Sequence, residues 1–295
     1  MTAPTMPTAD SIVIEALKKA KSNYTQADVN RAKEEWLEEV KQDIWEMSSR
    51  LKALHTTTIL VTVQNQAKYP YPTDFSSDLS MTAMHGAVRD TAQGGSSNSV
   101  TLSASETVSD SGILGHNILI YDGTGKGSLS QCYSYNSTTK VASVNPDFSV
   151  APDSTSKYMI VDEYHPLDEL SLWEYSRYTN PTDRGTPHAF LPQGDSNDFE
   201  FTLYKVPYHS SGVPYGLKLV YYADLLEIDL DSTLMLTLYK RWRNVFLQGI
   251  YIRALQGIDD NLYRTEEAKY GNKLRFLISR ETYGLNLSNL QVKFQ

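Results

Sequence analysis

Between Val29 and Leu54, apolar residues recur every three or four positions: Val29, Ala32, Trp36, Val40, Ile44, Met47, Leu51 and Leu54. That period places them along one stripe of an α-helix, with Glu34, Glu35, Glu38, Lys41 and Asp43 on the other side. The preceding Thr25-Gln26-Ala27-Asp28 has the pattern of an N-terminal capping motif. The spacing predicts one helix ending near His55, a rod of roughly 45 Å. A rod that long with a single apolar stripe needs a partner along most of its length. Asp10 or Ser11 suits the cap of a shorter helix before it, through about Ser22.

The opposite end of the chain repeats the pattern. Leu234, Leu238, Trp242, Val245, Gly249 and Ile252 lie three or four apart, and KRWRN (240–244) sets Lys240, Arg241 and Arg243 around Trp242. Asp259 or Asp260 caps a last helix ending near Tyr283, with Gly284 as its C-cap. The tail NLSNLQVKFQ alternates Leu290, Val292 and Phe294, the period of a strand. Between the helical ends the signals are β. TTTILVTV (56–63) reads as a strand, the prolines of KYPYPTDF (68–75) impose an extended path, and Ser80–Met84 reads as another strand. A short helical stretch carries Leu170, Leu172, Trp173 and Tyr175, and PTDRGTPHAF (181–190) follows as a loop. Asp198–Lys205 and Leu217–Tyr222 alternate like antiparallel strands joined by VPYHSSGVPYG (206–216).

Composition shifts at Gly86. Residues 86–164 are dominated by Ser, Thr, Gly, Asn and Asp, with strands expected at Ser99–Leu102, Asn117–Tyr121, Ser130–Tyr135, Lys140–Val144 and Tyr158–Val161. Short strands at this spacing predict a small β-sandwich or barrel. The expected class is α+β: N- and C-terminal helices forming a helical bundle, antiparallel strands, and an inserted β module. The expected boundaries are 1–85 for the N-terminal helices and first strands, 86–164 for the module, 165–286 for the rest of the core, and 287–295 for an extended tail.

YDGTGKGS (121–128) is the stretch that most resembles chemistry. A phosphate-binding loop needs G-x-x-x-x-G-K-[ST] between a strand and a helix. Here Gly127 follows Lys126, and the downstream SLSQCYSY alternates as a second strand. Glycines at 123, 125 and 127 instead suit a hairpin turn. The six histidines (55, 85, 116, 165, 188, 209) include no i, i+4 pair and no HExxH. GDSND (194–198) is not the G-x-S-x-G elbow. The single Cys132 reads as a small strand side chain. No catalytic, cofactor-binding or metal-ligating set is expected. A net charge of -8 argues against a basic nucleic-acid clamp. No basic, apolar leader and no membrane-length apolar run stands in the sequence.

Three features together resemble the head-to-tail adaptor (connector) proteins of tailed bacteriophages, over roughly residues 25–285 outside the module. They are the long helix leading to a strand and YPYPTDF (69–75), a strand pair ending in LKLVYYADL (217–225), and a helix containing RWRNVFLQGIYIRAL (241–255) before a last helix. The module resembles small β domains inserted in phage structural proteins, and smaller adaptors lack it. The resemblance implies a structural virion protein that forms a ring, commonly of twelve subunits, beneath the portal. It implies the portal above, tail, nozzle or fibre proteins below, and DNA passing through the channel without specific binding. The protein would be made in the host cytoplasm and reside in the virion neck. On that reading the contacts with neighbouring copies or the portal fall to Trp36, Val40, Ile44, Arg241, Trp242, Arg243, Leu290, Val292 and Phe294. The other readings are a tail-associated module that binds a carbohydrate or receptor through its Tyr- and Ser-rich β surface, and, last, a hydrolase.

Overall fold

The computed structural model describes residues 7–20, 23–177, 182–194, 199–209, 212–256 and 258–283. The chain is a mixed α+β protein with antiparallel sheets. Its contacts divide into two compact units: Met1–Thr56, Thr73–Ser77 and Tyr222–Gln295 in one, Thr57–Pro72 and Asp78–Tyr221 in the other.

The first unit holds α1 (Ala9–Ala20), α2 (Gln26–Arg31), α3 (Leu37–Met47) and, from the far end of the chain, helices described below. Thr8 and Ser11 cap α1 reciprocally, backbone N–H to hydroxyl at 2.9 and 3.2 Å, so the helix starts at Ala9, earlier than Asp10 or Ser11 as cap would set it. Thr25 and Asp28 form the expected capping box on α2. The expected single rod does not persist, however. Residues Ala32–Trp36 form a π turn between α2 and α3. That wide turn adds a residue to the period, so the stripe passes from Ala32 to Leu37, fully buried, and leaves Trp36 half-buried under the Arg31 guanidinium. The helix also stops at Met47 rather than His55. Ser48 turns extended (φ -169°, ψ 123°), and its hydroxyl accepts the Arg50 N–H, the local bonding by which serine competes with a helix. Leu51 and Leu54 still become buried, on a 3-10 turn over Lys52–Leu54.

The β elements follow in chain order: β1 (His55–Val61), β2 (Lys68–Pro70), β3 (Phe75–His85), β4 (Arg89–Thr91), β5 (Gly94–Ser96), β6 (Ser99–Thr101), β7 (Asn117–Asp122), β8 (Leu129–Asn136), β9 (Val141–Asn145), β10 (Lys157–Val161) and β11 (Glu163–Glu169). After the short α4 (Leu172–Ser176) come β12 (Arg184–Gly185), β13 (Ala189–Gly194), β14 (Phe199–Tyr204), β15 (Val206–Pro207) and β16 (Gly216–Ala223). One seven-stranded sheet has the order β1-β16-β3-β11-β13-β14-β2. It is antiparallel where its registers are defined, except for the parallel pair β11/β13. The two strands expected to pair across VPYHSSGVPYG do not: β3, β11 and β13 separate β14 from β16. Alternation reports which face is buried but not which strand lies alongside.

The second seven-stranded sheet, β4-β10-β7-β8-β9-β6-β5, contains the residues expected to form the module. It curls on itself. β4 pairs with β10 and β5 with β6, so the single segment 89–96 serves both edges. The core inside the curl gathers Val100, Ile118, Ile120, Cys132, Ala142, Val144, Tyr158 and Ile160, one or more from nearly every strand. A second cluster forms on the opposite face, where Leu119, Met159 and Val161 meet Met84 and Val213. The YDGTGKGS turn is strand–turn–strand, with Gly123, Gly125 and Gly127 at φ +76°, +80° and +86°. A Cβ on Gly123 would lie 2.1 Å from the Thr155 carbonyl oxygen, so glycine is needed for space as well as for the dihedral.

The last helices are α5 (Thr233–Arg241), α6 (Arg243–Leu255) and α7 (Asp260–Tyr283). The expected continuous helix through Trp242 breaks there (φ -111°, ψ 20°), while the apolar seam carries on across the break. Asp259 accepts the N–H groups of Asn261 and Leu262 at the start of α7. The expected cap at Gly284 and the tail 287–295 lie outside the described residues. Within this unit α6 is buried on most of its circumference, packed by α1, α3 and α7. Gly249 permits the approach: a Cβ there would meet Val40 Cγ2 at 2.5 Å and Tyr270 Cε2 at 3.0 Å.

Candidate functional site

Of the residues singled out by sequence, Trp36 is half-buried on the π turn, and the others fall into three groups. Val40, Ile44 and Trp242 are buried within the unit, at most 2% exposed. At Val40 and Ile44 the stripe is therefore covered by the chain's own helices, whereas Met47 stays 44% exposed. Arg241 and Arg243 lie at the surface, beside a cleft of about 220 Å3 between the α5–α6 junction and the second half of α7, together with Lys240, Asn244, Phe276 and Arg280. Leu290, Val292 and Phe294 lie outside the described residues.

Two of the cleft's cations, Arg241 and Arg280, share one carboxylate. Glu281, on the last turn of α7, is buried and accepts both forks of Arg241, Nε at 2.9 Å and Nη2 at 2.8 Å. Arg280 Nη2 reaches the same carboxylate at 3.2 Å, and the Trp242 indole N–H points to it at 3.5 Å. The bidentate fork fixes the plane of the guanidinium, and the break at Trp242 aims both the indole and Arg241 at it. Arg243 pairs with Glu15 of α1. Lys240 has no ion pair among the described residues. Deeper along α7, Lys273 donates to Gln248 Oε1 at 2.9 Å, and Gln248 donates to Glu266 at 2.7 Å. Lys269 binds Glu266 as well, at 2.6 Å, and this bond first, with that of Gln248, holds the Glu266 carboxyl below the usual glutamate range. Burial, aided by the nearby Lys19, lowers the Lys273 ammonium from its ordinary value.

A second polar knot ties α3 to α6 and α7. Arg253 pairs with Glu39 and, at 2.8 Å, with Asp43, which also accepts the Tyr270 hydroxyl at 2.8 Å. Lys41 is buried and donates to the carbonyls of Leu226 (3.2 Å) and Ile228 (3.0 Å), fixing the loop before α5.

These are positioning interactions. Nothing in the cleft pairs a nucleophile with a base, and among the described residues no group of three or more His, Cys, Asp or Glu is placed to hold a metal. No helix among them is long and apolar enough to cross a membrane. What the cleft offers is a cationic rim around the half-exposed ring of Phe276, suited to an acidic or aromatic group of another macromolecule. Sequence reasoning found Arg241 and Arg243 but missed Glu281, Glu15 and Phe276. Glu281 follows Arg241 by forty residues and sits among the ordinary charges of an amphipathic helix, so no local signal marks it. No family model matches the chain, and no curated protein shows significant sequence similarity to it.

Proposed function

We propose that this chain is a structural protein of a tailed-phage virion, a head-to-tail adaptor whose copies form a ring, of twelve on the family's usual count, beneath the portal. One observation carries the reading: helices from the two ends of the chain pack on one another, α1 and α3 against α6, and α6 against α7, while everything between them is largely β. Taken as a helical bundle with a β module inserted in its strands, this is the order that resembles the adaptors. The ring extends the DNA channel, and the β parts offer the surface on which tail, nozzle or fibre proteins attach. The protein is made in the host cytoplasm and resides in the neck.

With Val40, Ile44 and Trp242 covered inside the chain, contact between copies or with the portal falls to the cationic cleft and to exposed apolar groups. Trp45, Met47 and Phe276 are 37%, 44% and 50% exposed. A closed ring needs two different complementary patches on each copy. The exposed carboxylates of Glu34, Glu35 and Glu46 and the cleft cations have the opposite signs such a contact uses. The test is sedimentation and negative-stain imaging of the full chain with its portal. Rings capping the portal support the reading, and failure to co-sediment at low and physiological salt refutes it. A monomer in the absence of portal is compatible with assembly templated by the portal. DNA is expected to slide past: with a net charge of -8 and with Arg241 and Arg243 in ion pairs, sub-micromolar duplex binding at physiological salt would contradict the proposal.

A further inference from the structure

In the β-rich unit two histidines from distant parts of the chain pack against one tyrosine. His85, the last residue of β3, has its ring centroid 5.2 Å from that of Tyr215, and the ring of His209, in the connection between β15 and β16, lies 5.6 Å from it. His209 is buried, and its Nε2 stands 2.9 Å from the hydroxyl of Thr62, just past the end of β1. That hydroxyl accepts the Tyr215 N–H at 2.9 Å, and the Tyr215 carbonyl accepts the Thr62 N–H at 2.9 Å. The Tyr215 hydroxyl meets that of Thr186 at 3.1 Å. Tyr215 thus ties the connection to the end of β1, and both imidazoles lie against it.

The connection also closes an apolar contact. Val213 is buried and packs with Met84 of β3 and with Leu119, Met159 and Val161 on the outer face of the curled sheet. Gly216 keeps the chain close, since a Cβ there would stand 2.4 Å from Leu119 Cδ2. Freeing the connection would uncover this cluster.

The bonding fits neutral rings. The Thr62 hydroxyl accepts from Tyr215 and has its own proton to give to Nε2 of a neutral His209; a protonated ring makes that nitrogen a donor and breaks the relay. Burial holds both imidazoles below their ordinary value of 6.5. A charge on His85 meets the carboxylates of Glu163 and Asp162, with Arg89 and His165 opposing it. A charge on His209 meets His85. Charging both rings is therefore the costly step, and opening the connection to water relieves it. The closed form has its full advantage above pH 6.5 and loses it as the pH falls below that value.

We infer that His85, Tyr215 and His209 form an acid-sensitive latch, in which protonation of the two imidazoles frees the connection from Thr62 and uncovers the apolar cluster under Val213. The latch lies within the β-rich unit and does not rest on the adaptor reading.

The experiment is amide hydrogen exchange of the full chain from pH 8 to pH 5, corrected for the intrinsic pH dependence of exchange and read at Thr62 and Tyr215, whose N–H groups the latch holds. The expected result is an opening constant at both that rises about tenfold or more from pH 7 to pH 5, while Val100 and Ala142 in the core of the curled sheet keep their protection. The rise should be shallower in His85→Gln and in His209→Gln, whose amide still accepts the Thr62 proton, and flat in the double variant. Where a variant is looser at pH 8, the slope against pH rather than the level is the readout. A flat parent, a double variant as steep as the parent, or Val100 and Ala142 opening in step with Thr62 would each overturn the inference. Portal co-sedimentation at pH 8 is unaffected by these substitutions, so failure here is distinct from failure of the adaptor reading.

Discussion

Gly249 sits at the middle of α6 with Val40 of α3 on one side and Tyr270 of α7 on the other. Replacing it with alanine puts a methyl 2.5 Å from Val40 Cγ2 and 3.0 Å from Tyr270 Cε2. Carbon atoms rest at about 3.5–4.0 Å, so one neighbouring helix must withdraw by about 1 Å. Overpacking of this kind costs about 1–3 kcal/mol, while alanine's better helix propensity returns about 0.5–1 kcal/mol. The net expectation is destabilisation by about 1–2 kcal/mol, against a helix-propensity rule that alone forecasts a gain. Urea unfolding read by far-ultraviolet circular dichroism measures it as a lower midpoint at unchanged slope. The decisive control is the same substitution in a Val40→Ala background, where the obstructing Cγ2 is gone. There the penalty should shrink by about 1 kcal/mol, a coupling typical of residues in contact. Gly249→Ala that is neutral or stabilising, or a strictly additive double variant, would show that α3 and α6 do not approach as described. The packing of the two chain ends, on which the adaptor proposal rests, would fall with it.

Three further outcomes test other parts of the structure. Glu281→Gln leaves Arg241 and Arg280 without their shared carboxylate; because both arginines are nearly half solvated, the expected loss is about 1–3 kcal/mol, read as a lower melting temperature, and an unchanged value would deny Glu281 its organising role. Lys41→Met keeps the buried stem but strips the Leu226 and Ile228 carbonyls of their donor, at an expected cost of about 1–3 kcal/mol, with faster amide exchange over residues 224–231 as the local signature. Burial holds His209 below its ordinary value of 6.5, with its Nε2 2.9 Å from the Thr62 hydroxyl, which itself accepts the Tyr215 N–H. The neutral ring is therefore the stabilised form, and its contribution is complete above pH 6.5 and lost as the pH falls below it. Melting temperatures from pH 8 to pH 5 should fall less steeply in His209→Gln than in the parent, and parallel curves would refute the assignment.

Much of the local structure was legible. The capping box at Thr25, the strand at TTTILVTV, the absence of helix from 86 to 164 and the glycine turn at 123–127 all follow from backbone preferences that act over a few residues. The errors came where one residue's placement depends on the whole surface around it. The periodic rule put Trp36 in the stripe, and a π turn moved Leu37 there instead. The resemblance put Val40, Ile44 and Trp242 at a contact between molecules, and they are buried within their own unit. An apolar stripe records that something must cover it, but not whether the cover comes from the same chain, and at Val40 and Ile44 the chain's own helices supply it. Of the candidate cleft, the cations were visible as KRWRN, while Glu281 and Glu15, which orient them, come from sites forty and more than two hundred residues away.

The amino-acid order by itself determined the capping box at Thr25, the apolar period of most segments, and that the glycine hairpin is a turn and not a phosphate loop. Those properties depend on dihedral preferences and side-chain periods within one or two turns of chain. Only the tertiary structure decided which strands lie side by side and that one segment closes both edges of the curled sheet. Such juxtapositions follow from the packing of surfaces distant in sequence, and close packing selects among many pairings that local preference leaves equally good.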